Sequence, residues 1–235
     1  MGIALTNRTF KILYFIYLFI VWIGGATYLT ESDTLLSITA VISFILFIFS
    51  GHKFKINIII LLFVFFIINI LSILFNGNEF DLNAYIGYNL RILIAYFSIA
   101  YFGWDFFVYY RKAIYIMAII SIPFYIIQLI NIDFFINNFP NINMSSEERK
   151  EVDYWNFFIY TAHQGEFQGI ARNCSFAIEP GHFAFLLGLS ILLEFIQNDF
   201  HLNKVIIQEI LVGITTFSTT YLPISSLIFL PDKII

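Results

Sequence analysis

Long apolar runs separated by short polar turns fill most of this 235-residue chain. A helix needs roughly 20 mostly apolar residues to cross a bilayer, because no water in the hydrocarbon core can satisfy its backbone. Seven runs meet or approach that length: Lys11–Leu29, Thr34–Ser50, Ile56–Phe75, Tyr88–Gly103, Ala113–Asn131, His182–Gln197 and Val205–Leu222. The chain is therefore predicted to be an all-α, polytopic transmembrane helix bundle of seven spans with one large extracytoplasmic loop.

The composition excludes an ordinary soluble domain. Hydrophobic residues make up 60% of the chain and charged residues 12%, whereas soluble domains average roughly 45–50% apolar and about 25% charged residues. Too little charge is left to cover a water-exposed surface. The net charge of −4 is too small to indicate a nucleic-acid partner, and one cysteine, Cys174, excludes an internal disulfide.

Basic and acidic connections alternate along the chain. One set contains Arg8, Lys11, Lys53, Lys55, Arg111, Lys112 and Lys204, and the other contains Glu31, Asp33, Glu79 and Asp81. Short cytoplasmic loops carry an excess of lysine and arginine, so the N-terminus is predicted to be cytoplasmic. Three parts follow: N-terminal transmembrane helices over 1–131, a large extracytoplasmic loop over 132–181, and C-terminal transmembrane helices over 182–235.

The large loop has two sections of different composition. Residues 131–153 are polar and rich in asparagine, without strand alternation, which favours a solvated segment. Tyr154–Ile170 mixes aromatic with polar side chains, which is typical of a short amphipathic helix on a membrane surface. His163 is interpreted as a surface histidine of that helix, with an acid–base role as the alternative.

An arginine, a carboxylate and a histidine occur where this loop enters the sixth apolar run. Arg172 has the planar donor fork that suits bidentate phosphate binding. Pro180 is predicted to start a helix, which leaves Glu179 extended as a candidate general base. His182 then falls in the first helical turn, where free backbone N–H groups favour an anion. The segment predicts an anion-binding catalytic site.

Each of these residues also has a structural interpretation. Glu179 would cap the helix, and Arg172 would pair with Glu166 or a lipid phosphate. Arg91, near the outer end of the fourth run, would extend to the lipid headgroups; the functional alternative is a second phosphate-binding cation facing the same outer cavity. No metal-ligand spacing or nucleotide-binding motif occurs, so neither a metal nor another cofactor is predicted.

Other polar residues within the apolar runs have a structural explanation. Asn57 and Asn69 are predicted to make interhelical hydrogen bonds. The hydroxyl-rich segment Thr215–Tyr221 is predicted to allow close helix approach or to line a polar cavity.

Arg172 followed by Phe176–Leu187 resembles the motif that closes the large outer loop of Wzy-like bacterial O-antigen and capsular polysaccharide polymerases. These enzymes are related to the O-antigen ligases. Thr216–Thr220 resembles the serine- and threonine-rich helix that follows in many members. The resemblance implies a metal-independent, glycosyltransferase-type polymerase in the cytoplasmic membrane of a bacterium. It implies extension of a surface polysaccharide outside that membrane, from repeat units linked to undecaprenyl diphosphate.

The resemblance also implies roles and partners. Arg172 and Arg91 would bind the donor diphosphate, and Glu179 or His182 would assist activation of the acceptor hydroxyl. The partners would be membrane lipid, the undecaprenyl-diphosphate-linked glycan, a chain-length regulator and a flippase, with no nucleic acid.

The chain also departs from that family. The ligase pattern of His-Gln followed at a fixed distance by glycine is not reproduced at His163, where Cys174 stands instead, so polymerase is preferred over ligase. Tyr221 replaces the expected glycine after Thr220, and seven runs are fewer than the family's spans. These departures predict a C-terminally truncated chain, either inactive or active, and a natural end of the chain is the alternative.

Two non-enzymatic functions are the alternatives. A transporter or flippase subunit would favour helices broken at matched positions in two halves, and Pro123 is a break without such a match. A purely structural membrane subunit is the other.

Overall fold

The computed structural model describes residues 8–23, 33–54, 56–75, 82–143, 153–157, 159–163, 166–167, 170–177 and 179–218. The described chain is mostly helical, with two small β-sheets. It divides into two units. The first comprises Met1–Tyr17 and Tyr28–Phe106, and the second comprises Leu18–Thr27 and Phe107–Ile235.

Four helices carry the first four apolar runs: α1 Arg8–Leu18, α2 Asp33–Phe49, α3 Ile56–Phe75 and α4 Leu82–Phe102. The predicted bounds of the third run are confirmed. α4 begins before the expected Tyr88, so Arg91 lies in its interior rather than near its start. Gly103, with a φ of 60°, adopts the left-handed conformation directly after α4, which a glycine tolerates without a steric penalty.

Hydroxyl groups connect the helices of the first unit. The Tyr14 hydroxyl of α1 lies 2.7 Å from Ser43 Oγ of α2 and 3.2 Å from Ser98 Oγ of α4. All three side chains are buried. Such bonds between apolar helices are typical of membrane bundles, where packing and polar contacts replace the hydrophobic effect between helices.

α3 packs on α4 through an amide pair and exposes apolar side chains elsewhere. Asn69 donates a hydrogen bond to Asn89 Oδ1 at 3.2 Å, which confirms the interhelical role predicted for Asn69, whereas Asn57 is exposed. The exposed apolar residues of α3 are Ile56, Ile59, Ile60, Leu61, Phe63, Val64, Phe65, Ile67, Ile68, Ile70, Leu71 and Phe75. A helix with this much exposed apolar surface suits a membrane or a protein core.

The second unit contains a π-helical segment, Phe19–Ile23, and the helices α5 Asp105–Ile130, α6 Asp133–Asn138, α7 Pro180–Gln197 and α8 Lys204–Ile214. The first two residues of α5 belong to the first unit. α5 begins before the expected Ala113, which puts Arg111 on the helix rather than in a loop. α8 ends at Ile214 and is followed by a turn, so the predicted helix does not continue through the described residues to 218.

The outer loop forms β-strands where an amphipathic helix was predicted. β1 Asn141–Asn143, β2 Asp153–Phe157 and β3 Tyr160–His163 form an antiparallel sheet in that order. β4 Glu166–Phe167 and β5 Ile170–Ala171 form a separate antiparallel pair. The helix prediction over Tyr154–Ile170 is therefore wrong. All four residues of β3 are buried, so no alternation marks this strand in the sequence.

The sheet packs on the C-terminal half of α5. A buried cluster holds Tyr125, Phe135, Trp155, Tyr160 and Ala162 together. Gln128 of α5 accepts a hydrogen bond from the Tyr160 hydroxyl at 2.6 Å and donates one to the His163 carbonyl at 3.0 Å. These contacts with a helix distant in sequence stabilise β3.

Two of the described helices, Asp105–Ile130 and Pro180–Gln197, are long and apolar enough to cross a membrane. Thr34–Phe49 and Ile56–Ser72 are apolar but shorter. The seven-span arrangement is therefore not confirmed and stays a prediction. Two apolar helices weakly fit membrane association.

Candidate functional site

The start of α7 has the local geometry that the sequence predicts. Glu179 is the N-cap residue, with extended φ and ψ values of −120° and 145°, and Pro180 is the first helical residue. The Glu179 carbonyl accepts the hydrogen bond of the Phe183 N–H at 3.2 Å, whereas its side chain makes no capping bond. The capping interpretation of the Glu179 carboxylate is thus not supported. His182 lies in the first turn and is exposed.

Three of the four predicted site residues lie in one neighbourhood of the second unit. Arg172 and Glu179 both act electrostatically on the Cys174 thiol, and Glu179 also acts on the His182 imidazole. Glu179 and His182 therefore lie at the beginning of α7, where the first N–H groups have no acceptor within the helix, and Arg172 lies on the loop before it. This arrangement can hold an anion beside a proton acceptor.

Arg91, the fourth predicted site residue, belongs to the first unit. It is exposed on α4, with its guanidinium carbon 5.9 Å from the centre of the Tyr88 ring. This distance fits a cation–π contact, which is worth about 0.5–1 kcal/mol at an exposed site. Its phosphate-binding role stays a prediction.

Asn173 organises the loop before α7, and the sequence did not identify it. Its side chain is fully buried. Nδ2 donates to Ser121 Oγ at 3.0 Å and to Thr215 Oγ1 at 2.9 Å, and Oδ1 accepts from the Ser175 N–H at 2.9 Å. The Asn173 N–H donates to the Thr215 carbonyl at 3.0 Å. One residue thus joins the loop to α5 and to the turn after α8.

The same turn after α8 positions the arginine. Arg172 Nε donates to the Thr216 carbonyl at 3.1 Å, and the side chain is partly exposed. The two terminal guanidinium nitrogens of Arg172 take no part in this bond. The hydroxyl-rich segment that begins at Thr215 therefore has a described role: its first two residues hold the loop that carries Arg172.

This loop lies beside the middle of a candidate span. Ser175 Oγ donates to the Met117 carbonyl at 3.3 Å, close to the midpoint of α5. Ser175 has a φ of 50°, and residues 173–177 are all buried. Buried backbone N–H and C=O groups outside helices and strands need hydrogen-bond partners. The hydrogen bonds of Asn173 and Ser175 meet that requirement.

His163 is buried, so the prediction of a surface histidine is wrong. Burial, and then the nearby charge of Arg172, lowers the pKa of His163 to about 4, although a hydrogen bond with the Arg172 backbone opposes the shift. Nε2 has no hydrogen-bond partner among the described residues. A histidine in this state is neutral at physiological pH.

The His163 shift predicts a loss of stability in acid. The unfolded chain binds a proton near pH 6.5 and the folded chain near pH 4, so the contribution is complete above pH 6.5 and lost as the pH falls to about 4. The loss is about 3 kcal/mol. Unfolding of the wild type, His163→Gln and the exposed-site control His201→Gln is measured between about pH 4 and pH 7. Only His163→Gln should lose this part of the slope, and equal slopes in all three proteins would contradict the assignment.

A second polar cluster lies farther along α7. Arg111 Nε of α5 lies 2.7 Å from Glu194 Oε2, and Asn203 Nδ2 donates to Glu194 Oε1 at 2.6 Å. Ser190 Oγ donates to Glu209 Oε1 of α8 at 2.7 Å. The sequence analysis did not name these residues as a site. The signal that could have identified them is their charge, because charged side chains within apolar runs are costly and usually functional.

No protein-family model, curated protein or solved structure matches this chain. Within the described ranges, no group of three or more His, Cys, Asp or Glu residues is placed to hold a metal ion.

Proposed function

We propose that this protein polymerises undecaprenyl-diphosphate-linked oligosaccharide repeat units in surface polysaccharide synthesis, outside the cytoplasmic membrane of a bacterium. The observation that carries the proposal is the position of Glu179 and His182 at the beginning of α7, with Arg172 on the loop that precedes it. Seven spans, a cytoplasmic N-terminus and an extracytoplasmic loop belong to the same proposal.

A membrane location is supported by the surfaces of the helices. α3 exposes large apolar side chains along most of its length, and α5 and α7 are long and apolar enough to cross a bilayer. Lys11 and Asp105 form an ion pair of 2.8 Å. Lys11 begins the first predicted span and Asp105 follows the fourth, and the alternating charges assign both positions to the cytoplasmic side. The ion pair agrees with that assignment.

The proposed chemistry needs an anion site and a base. The diphosphate of the donor binds the Arg172 guanidinium and the free N–H groups of α7. Glu179, assisted by His182, takes the proton of the acceptor hydroxyl as the acceptor oxygen bonds to the anomeric carbon of the donor sugar. The bond from that carbon to the diphosphate oxygen breaks, and undecaprenyl diphosphate leaves with the electron pair. Arg172 stabilises the charge that develops on it.

Reconstituted vesicles supplied with labelled lipid-linked repeat units test this function. Wild-type protein is expected to produce a ladder of longer glycans. Glu179→Gln should lower the rate by about 100-fold or more, because a positioned general base contributes about that much. Asp133→Asn, the same chemical change at an exposed position of α6, should leave the ladder intact.

Other outcomes distinguish the alternatives. Equal ladders from Glu179→Gln and Asp133→Asn would contradict the role of Glu179. Movement of the labelled lipid across the bilayer without any ladder would instead support a transporter or flippase.

A further inference from the structure

A buried carboxyl group lies between α7 and α8 without a charge partner of its own. Glu209 is 0% exposed, and its Oε1 accepts the hydrogen bond from Ser190 Oγ at 2.7 Å. Its Oε2 is buried and has no hydrogen-bond partner among the described residues. An unpaired carboxylate is costly in such a place, and a buried group of this kind usually becomes neutral instead.

The described cation that acts on Glu209 is already engaged. Arg111 pairs with Glu194 through Nε at 2.7 Å and donates to Gln197 Oε1 through a terminal nitrogen. Glu194 also accepts from Asn203. Glu194 is therefore the ionised partner of Arg111, and its negative charge disfavours a second one on Glu209.

The charges that face Glu209 leave a deficit of one positive charge. α5 contributes Tyr110 and Arg111, and α7 contributes Ser190 and Glu194. The Tyr110 hydroxyl donates to the Leu186 carbonyl at 3.0 Å and adds no charge. Two carboxyl groups thus share one guanidinium, and one further positive charge makes the cluster neutral.

We propose that Glu209 is a proton-binding site that the folded protein keeps protonated. A proton fits better than a metal ion. A hard cation such as calcium takes about six to eight oxygen ligands, whereas the described neighbour of the Glu209 oxygens is the donating Ser190 hydroxyl. A proton needs only the carboxyl itself.

α8 connects Glu209 with the turn that holds the Arg172 loop. An ionised Glu209 would repel Glu194 across the contact of α7 with α8. α8 ends at Ile214, and the next two residues hold Asn173 and Arg172 through their carbonyls.

Infrared spectroscopy and unfolding of the protein in lipid nanodiscs test the site. At neutral pH the wild type should show the carbonyl band of a protonated carboxyl group, which Glu209→Gln removes. The Glu209 proton released on unfolding should contribute a fall in the folded-to-unfolded ratio of about tenfold per pH unit between about pH 5 and pH 7. This contribution is read as the difference in slope between the wild type and Glu209→Gln, because His163 contributes the opposite slope below about pH 6.5. Glu209→Gln should lose the Glu209 contribution, and Asp199→Asn, the same change at an exposed position beyond α7, should keep both the band and the slope.

Several results would overturn the proposal. Absence of the band from the wild type at neutral pH decides against it even if Glu209→Gln does not fold. An unchanged slope in Glu209→Gln does the same. Stabilisation of the wild type by sodium or calcium at fixed pH, absent in Glu209→Gln, would show that the site binds a metal cation instead.

Discussion

Asn173→Ala is expected to lower the free energy of unfolding by about 2–4 kcal/mol. The change removes three side-chain hydrogen bonds, to Ser121, Thr215 and Ser175. The buried Ser175 N–H loses its acceptor, and an unsatisfied buried group costs about 1–3 kcal/mol. The cavity left in a fully buried site adds to the loss.

Asn138→Ala provides the matched control for this change. Asn138 also makes a side-chain hydrogen bond, from Nδ2 to the Phe134 carbonyl at 2.7 Å, but it is exposed. Its replacement should stay within about 0.5 kcal/mol of the wild type. Reversible unfolding in mixed micelles measures both variants. Equal stability of the two would show that the Asn173 bonds do not hold the loop.

The helices of apolar runs are predictable because their signal is local. The bounds of α3, Ile56–Phe75, coincide with those of the third run. Pro180 marks the start of α7, because proline suits the first helical position and holds Glu179 extended. Arg172, Glu179 and His182 could be predicted as neighbours from this local signal, because they are close in sequence to the start of α7.

The β-strands escaped prediction because their stability comes from distant partners. Every side chain of β3 is buried, so the period of two that marks a half-exposed strand is missing. Gln128 bonds to Tyr160 and to the His163 carbonyl across more than 30 positions of sequence. A window of neighbouring residues contains none of this information.

The charged cluster was missed for a related reason. Arg111 was assigned to a basic connection because basic and acidic loops alternate along the chain. α5 begins earlier and includes it, because Glu194 and Gln197 of α7 supply its partners. The helix therefore begins before the predicted start of the run at Ala113, and only the packing of α5 on α7 reveals the partners of Arg111.

Arg111→Met is expected to lower the free energy of unfolding by about 3–5 kcal/mol. Breaking a buried ion pair on one side leaves the other charge uncompensated, and this costs more than the pair contributes. Here Glu194 loses its partner beside Glu209, so the two carboxyl groups face each other without a cation. Reversible unfolding at neutral pH measures the loss.

Lys112→Met separates the ion pair from a general effect of charge. Lys112 is the next residue on α5 and is exposed, so its replacement should change the stability by about 0.5 kcal/mol or less. The double variant Arg111→Met with Glu194→Leu should recover much of the loss, because no unpaired charge stays buried there. Equal stability of Arg111→Met and Lys112→Met would contradict a stabilising role of the Arg111–Glu194 ion pair. A double variant no more stable than Arg111→Met would contradict it as well.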